Sequence, residues 1–85
     1  MREILLSNQA LSEFDEWLNT NTKIAKRILK MFKEMERSPF KGTGKPEPLK
    51  HDLMGYWSRR IDEFNRIVYK VENDTVIIKS CKYHY

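Results

Sequence analysis

Arg66-Ile67-Val68-Tyr69-Lys70-Val71-Glu72-Asn73-Asp74-Thr75-Val76-Ile77-Ile78-Lys79-Ser80-Cys81 is the stretch that decides the fold. In its first half Ile67, Tyr69 and Val71 take one side of an extended chain. Arg66, Val68 and Lys70 take the other, which suits a half-buried strand. Glu72-Asn73-Asp74 is a turn of the right length for a hairpin, and Thr75–Cys81 is the returning strand. Tyr56–Ile61 reads as a strand just before them. Three short strands in succession predict an antiparallel meander, and Glu3-Ile4-Leu5-Leu6 near the N-terminus can join it.

Between the first strand and the meander lies a helical pattern. Ser7 or Asn8 offers a side-chain oxygen to cap a helix. Through Asn8–Asn19 the apolar residues Ala10, Leu11, Phe14, Trp17 and Leu18 recur at a spacing of three and four, which puts them on one helix face. Asn19-Thr20-Asn21 breaks the pattern and can cap a second helix, roughly Thr22–Arg37. Its Ile24, Ile28, Met31, Phe32 and Met35 share one side. A connection this short implies an antiparallel helical hairpin. The predicted architecture is α+β in the order β-α-α-β-β-β: a small, twisted, antiparallel-dominated sheet with the hairpin on one face. The other face is left for function.

Eighty-five residues predict a single domain, 1–85. Cys81 is the sole cysteine, which excludes an intramolecular disulfide and a cysteine-based zinc site. A formal net charge of +4 favours an anionic partner such as nucleic acid. No N-terminal apolar run is long enough for a signal peptide or a membrane span, so the cytoplasm is the expected location and no membrane partner is expected. Pro39 ends the second helix, and Phe40–Pro48 reads as an ordered, irregular loop. Gly42-Thr43-Gly44-Lys45 has neither the spacing nor the following hydroxyl residue of a phosphate loop, so nucleoside triphosphate binding is rejected.

Lys23, Lys26, Arg27, Lys30, Lys33 and Arg37 fall within about a third of the second helix's circumference. One reading is a solvated face whose late cations suit the helix dipole. The other is a stripe that binds the phosphates of a structured RNA. Elsewhere, Glu47 sits between Pro46 and Pro48. Arg59 and Arg60 point to opposite sides of one strand, Arg66 opens the next, and His84 and Tyr85 close the sequence. This is a carboxylate, an imidazole and several cations, with no metal-ligand spacing. The set matches the needs of metal-free RNA cleavage. A base takes the ribose 2′-OH proton, cations stabilise the charged phosphoryl oxygens, and an acid protonates the departing 5′-oxygen. By spacing alone, Glu47 reads first as a solvated loop carboxylate, and the His84-Tyr85 end as a plain sheet edge.

The runs Lys45-Pro46-Glu47-Pro48-Leu49-Lys50-His51, Gly55-Tyr56-Trp57-Ser58-Arg59-Arg60-Ile61 and Arg66-Ile67-Val68-Tyr69, with the ending Cys81-Lys82-Tyr83-His84-Tyr85, resemble the YoeB-type toxins. These are a branch of the RelE/ParE superfamily of type II toxin–antitoxin modules. The resemblance spans essentially the whole chain and is weakest in the first helix. It implies a RelE-like fold and ribosome-dependent endoribonuclease activity on mRNA in the decoding site, with neither metal nor cofactor. It implies Glu47 as general base, His84 as general acid, Arg66 as the clamp on the phosphate and Tyr85 as an orienting group, with Lys50 and Arg60 supporting phosphate binding. The α-carboxylate beside His84 is expected to favour its imidazolium form. His51 receives no role.

The partners implied are the ribosome, mRNA and a cognate antitoxin of the YefM/Phd type, whose acidic segment would fold on the basic groove; a homodimer is compatible with the family. Two other readings stand beside this one. A non-catalytic toxin of the same fold could inhibit DNA gyrase, with no need of Glu47, His84 or Tyr85. A small RNA-binding module would instead need exposed aromatics for base stacking.

Overall fold

A computed structural model describes residues 1–83. Strand β1 (Glu3–Leu6) leads into α1 (Asn8–Thr20) and α2 (Thr22–Met35). After a long connection come β2 (Glu47–Pro48), a 3₁₀ turn (His51–Leu53), β3 (Trp57–Arg60), β4 (Arg66–Glu72) and β5 (Thr75–Tyr83). The strands form one sheet in the order β1-β5-β4-β3-β2. β1 runs parallel to β5, and every other pair is antiparallel. The α+β class and the order of helices and long strands are those the sequence implies. β2 is the addition: two residues of the expected loop pair with β3, Glu47 opposite Ser58 and Pro48 opposite Trp57.

The helix ends follow their local chemistry. The Ser7 hydroxyl accepts from Ala10 N at 3.0 Å and donates to the Lys79 carbonyl at 2.8 Å, so the cap of α1 also ties it to β5. Asn21 serves both helices: its backbone N–H closes α1 on Trp17 O at 2.7 Å, and its side chain accepts from Ile24 N at 3.3 Å. α2 stops at Met35, short of the expected Arg37. Arg37 N and Ser38 N both turn back to the Glu34 carbonyl, and Pro39 then has no N–H to continue the ladder.

Ala10 and Trp17 of α1, with Ala25, Ile28, Met31, Phe32 and Met35 of α2, pack on Ile67, Tyr69, Val76, Ile78 and Cys81. Both helices thus cover one face of the sheet. Leu11 and Leu18, expected on the core face, are instead 58% and 49% exposed. Each follows a buried residue by one position, about 100° around the helix. The contact strip on α1 is narrower than its apolar stripe, and these leucines fall on its flank.

β5 contains nine residues against seven in β4 because its pairing slips twice. Between Tyr69↔Ile78 and Val68↔Ser80, β5 advances one residue more than β4, and it does so again before Arg66↔Tyr83. Such bulges leave backbone groups outside the ladder, and α1 supplies partners for them. The Trp17 indole donates to Cys81 O at 2.8 Å, and Cys81 N donates to the Glu13 carboxylate at 2.8 Å. Lys82 pairs with Glu16 and lies over the Trp17 ring.

Candidate active site

On β3 and β4 the alternation of side chains sends Trp57, Arg59, Ile67 and Tyr69 toward the helices. Ser58, Arg60, Arg66, Val68 and Lys70 go to the opposite face, left open by the helices, where Ser58 and Val68 are buried and Arg60 is exposed. The strand registers then align two neighbouring rows there: Glu47–Ser58–Val68–Ser80 and Arg60–Arg66–Tyr83. Glu47 and Arg66 meet across this corner, with Arg66 Nη1 3.6 Å from Glu47 Oε1. The Glu47 side chain stays 51% exposed and that of Arg66 only 19%. An accessible carboxylate therefore stands beside a guanidinium held in the sheet. Arg60 sits beside Arg66 and is exposed.

Lys50 joins this corner. With Leu49, His51, Leu53 and Tyr83 it lines an open depression of about 260 Å³. The segment around it is closed by hydrogen bonds from Leu49 N to Tyr56 O and from Tyr56 N to Leu53 O, both 2.9 Å. Tyr56 is in turn held under two cations, with Lys70 Nζ at 5.3 Å and Lys79 Nζ at 5.7 Å from its ring centre. The structure thus brings together Glu47, Arg60 and Arg66, and links Lys50 to them through Tyr83, which pairs with Arg66. His84 and Tyr85 lie outside the described residues; Tyr83, directly before them, takes its place in the row with Arg66.

The cations of α2 are elsewhere. Lys26, Lys30 and Lys33 line an open groove of about 560 Å³ with Leu29 and Glu34, on the helical side of the sheet. Lys23 is exposed on the same helix. Arg27 departs from the stripe: its Nε donates to the Ile61 carbonyl at 2.7 Å, tying α2 to the segment after β3. Asp62 there is partly buried, which alone would raise its pKa. The Asn65 and Phe64 amides and the Arg27 charge outweigh that and hold it below its usual value.

The residue that sequence reasoning undervalued is Arg59. It is fully buried, and its five N–H groups meet five acceptors. Nη1 reaches Glu34 Oε1 at 2.8 Å and Thr43 O at 3.2 Å. Nη2 reaches Ser38 O at 2.7 Å and Lys41 O at 2.6 Å, and Nε reaches the Tyr69 hydroxyl at 3.3 Å. Tyr69 passes the chain on, donating to Pro39 O at 2.6 Å. Glu34 accepts from Thr43 N at 3.0 Å and Thr43 Oγ1 at 2.7 Å. Burial works to raise the Glu34 pKa, but the Thr43 hydrogen bonds and Arg59 outweigh it and hold the carboxyl below its usual value.

The glycines rejected as a phosphate loop have their use here. A Cβ on Gly42 would lie 2.7 Å from Glu34 Oε1, and one on Gly44 would lie 2.6 Å from Arg60 O; both residues have positive φ. The sequence did carry a signal for Arg59. It alternates in step with Trp57 and Ile61, so it had to face the core and needed an acid on the facing helix.

Fold and site together define a small α+β protein with helices on one face of its sheet and, on the other, a carboxylate among cations suited to a polyanion. The chain belongs to the YoeB-like toxins of bacterial type II toxin–antitoxin systems, whose family model matches residues 6–85. It is 45% identical to Toxin YoeB of Escherichia coli K12 over 83 residues, 98% of this chain and 99% of that one. Among solved structures it resembles the toxin in the YoeB–YefM complex from Staphylococcus aureus, with 41% identity and a TM-score of 0.88 over 100% of this chain and 99% of that one. It also resembles the YoeB dimer from the same organism, with 40% identity and a TM-score of 0.90 over 99% of this chain and 98% of that one.

Proposed function

We propose that this chain is a ribosome-dependent endoribonuclease that cleaves mRNA in the decoding site and is restrained by a cognate antitoxin. The observation that carries this reading is the convergence of Glu47 and Arg66 on the open face, 3.6 Å apart, with Arg60 paired to Arg66 and Lys50 in a depression that shares Tyr83 with their row. Glu47 acts as general base on the ribose 2′-OH. The resulting alkoxide attacks the adjacent phosphate, and Arg66, with Lys50 and Arg60, stabilises the added charge on the phosphoryl oxygens. His84 donates a proton to the departing 5′-oxygen, and Tyr85 orients the RNA. The products are a cyclic phosphate and a free 5′-hydroxyl.

The partners follow the same reading. Lys23, Lys26, Lys30 and Lys33 face ribosomal RNA on the helical side, in the cytoplasm where ribosomes work. A YefM-like antitoxin with an acidic segment binds the basic surface, and a second copy of the chain forms a homodimer, in keeping with the YoeB–YefM complex and the YoeB dimer of S. aureus.

The test is to map 5′ ends of a translated message incubated with wild type, Glu47→Gln and His84→Gln, with and without ribosomes. Wild type is expected to cut only on ribosomes, and each variant about 10²–10⁴-fold more slowly. Equal cleavage by all three, or none by any, would overturn the catalytic assignment. Loss of gyrase activity with intact mRNA would establish the inhibitor reading in its place.

A further inference from the structure

We infer that Arg59 is a positioning residue for Glu47: its buried guanidinium fixes the loop that delivers the base to the open face. This rests on the reading of Glu47 as general base. Strand β3 holds the incoming chain at successive points. The Arg59 side chain binds the carbonyls of Ser38, Lys41 and Thr43; Arg60 N donates to Gly44 O at 2.7 Å; Ser58 pairs with Glu47 and Trp57 with Pro48. Phe40 packs on Trp57 with ring centres 4.6 Å apart.

Thr43 is the last residue that Arg59 holds and Gly44 is held by Arg60 N, so only Lys45 and Pro46 separate the anchored stretch from Glu47. Lys45 has φ 50, a left-handed conformation that a side-chain-bearing residue keeps only when its surroundings enforce it. Downstream, enforcement comes from the two-residue strand and the Leu49 N to Tyr56 O bond that follows it. Upstream it comes from Arg59, whose fork geometry satisfies three carbonyls, a carboxylate and a phenol at once. Lysine, with three donors on a flexible stem, cannot do this. The Tyr69 hydroxyl completes the arrangement by holding Pro39 O. The residue that aims the base is therefore on the core side of the sheet, behind the surface where the RNA would lie.

The test is a set of double-mutant cycles read by single-turnover cleavage on ribosomes, using Arg59→Lys and Tyr69→Phe, each alone and combined with Glu47→Gln. Alone, each is expected to slow cleavage at saturating ribosomes by about tenfold or more, since an ångström of misplacement costs up to about 10²-fold. The ribosome concentration giving half the maximal rate should not move. In the Glu47→Gln background each should change the residual rate by less than about twofold, because a displaced loop costs nothing once the base is gone. Urea unfolding verifies that the proteins are folded. Tyr69→Phe keeps the aromatic core and decides the question alone if Arg59→Lys does not fold.

Equal fold-losses in both backgrounds would assign Arg59 a general structural role and overturn the inference. So would full activity of the folded single variants. Wild-type rates in Glu47→Gln itself would overturn the catalytic reading, a result distinct from either of these.

Discussion

At the scale of the residue, Glu34 shows how one side chain is diverted from the surface its position suggests. It lies on α2 among Lys30 and Lys33, yet its oxygens are taken by Arg59 and Thr43. Its folded pKa is lowered from its usual 4.5, so the carboxylate contributes stability above that pH. The contribution is lost as pH falls through the lower folded value. Glu34→Gln is expected to cost about 1.5–3 kcal/mol at pH 7, the range for hydrogen bonds to a charged group. Urea unfolding of both proteins from pH 7 to pH 3 checks this: the two stability curves should converge as wild-type Glu34 protonates. Parallel curves would mean that the charge contributes nothing. Asp62 is present in both proteins and cancels. Cys81 belongs to the same scale. Burial, with the Glu13 carboxylate nearby, pushes its thiol up to about 12, so it stays protonated and inert at neutral pH.

At the scale of the element, α1 works as a clamp on the bulged end of β5. Trp17→Phe keeps an aromatic side chain, smaller than the indole, but deletes the donor to Cys81 O, leaving a buried carbonyl without that partner. It should cost about 1–3 kcal/mol and speed hydrogen exchange at the amides of Cys81 and Lys82 in native protein. Unchanged exchange there would show that the Trp17 bond does not hold the strand end, leaving it to Glu13, Glu16 and β4. This scale also shows what the sequence could reveal. The hairpin of β4 and β5 was legible because alternation in Ile67, Tyr69 and Val71 is a local signal, as were both helices and the cap residues. The bulges of β5 were not, since a slip in pairing depends on the partner strand and on Glu13 and Trp17, far away in the chain. Nor was β2, because two residues, one of them a proline, carry no periodicity. Leu11 and Leu18 had the correct spacing for burial, but the width of the α1 contact is set by the sheet. For the candidate site, Glu47, Lys50, Arg60 and Arg66 were legible through the family resemblance, and the meeting of Glu47, Arg60 and Arg66 on one face follows from register. The role of Arg59 was hidden because adjacent arginines look alike until alternation assigns one to the core.

At the scale of the whole molecule, the sheet separates two kinds of surface. The open face holds Glu47 and Arg66, and the helical side holds the groove lined by Lys26, Lys30 and Lys33. On the proposed reading, phosphate contacts at the groove would lie on the side of the sheet away from the reacting bond and should contribute affinity and orientation rather than chemistry. The pairing of Glu34 with Arg59 supports this division, because the acid nearest the groove is already engaged by an internal cation. Replacing Lys26, Lys30 and Lys33 together by Gln should therefore weaken ribosome binding and reduce its dependence on log salt concentration by roughly 2–3 units of slope. The cleavage rate at saturating ribosomes should stay within about twofold, since contacts made equally in ground and transition states alter half-saturation without altering turnover. Binding measured at several salt concentrations, beside single-turnover rates, separates the outcomes. Unchanged binding at every salt would leave the lysines as a solvated face. A fall in the saturated rate with binding preserved would mean that the groove is coupled to the site, and the sheet would no longer divide docking from chemistry.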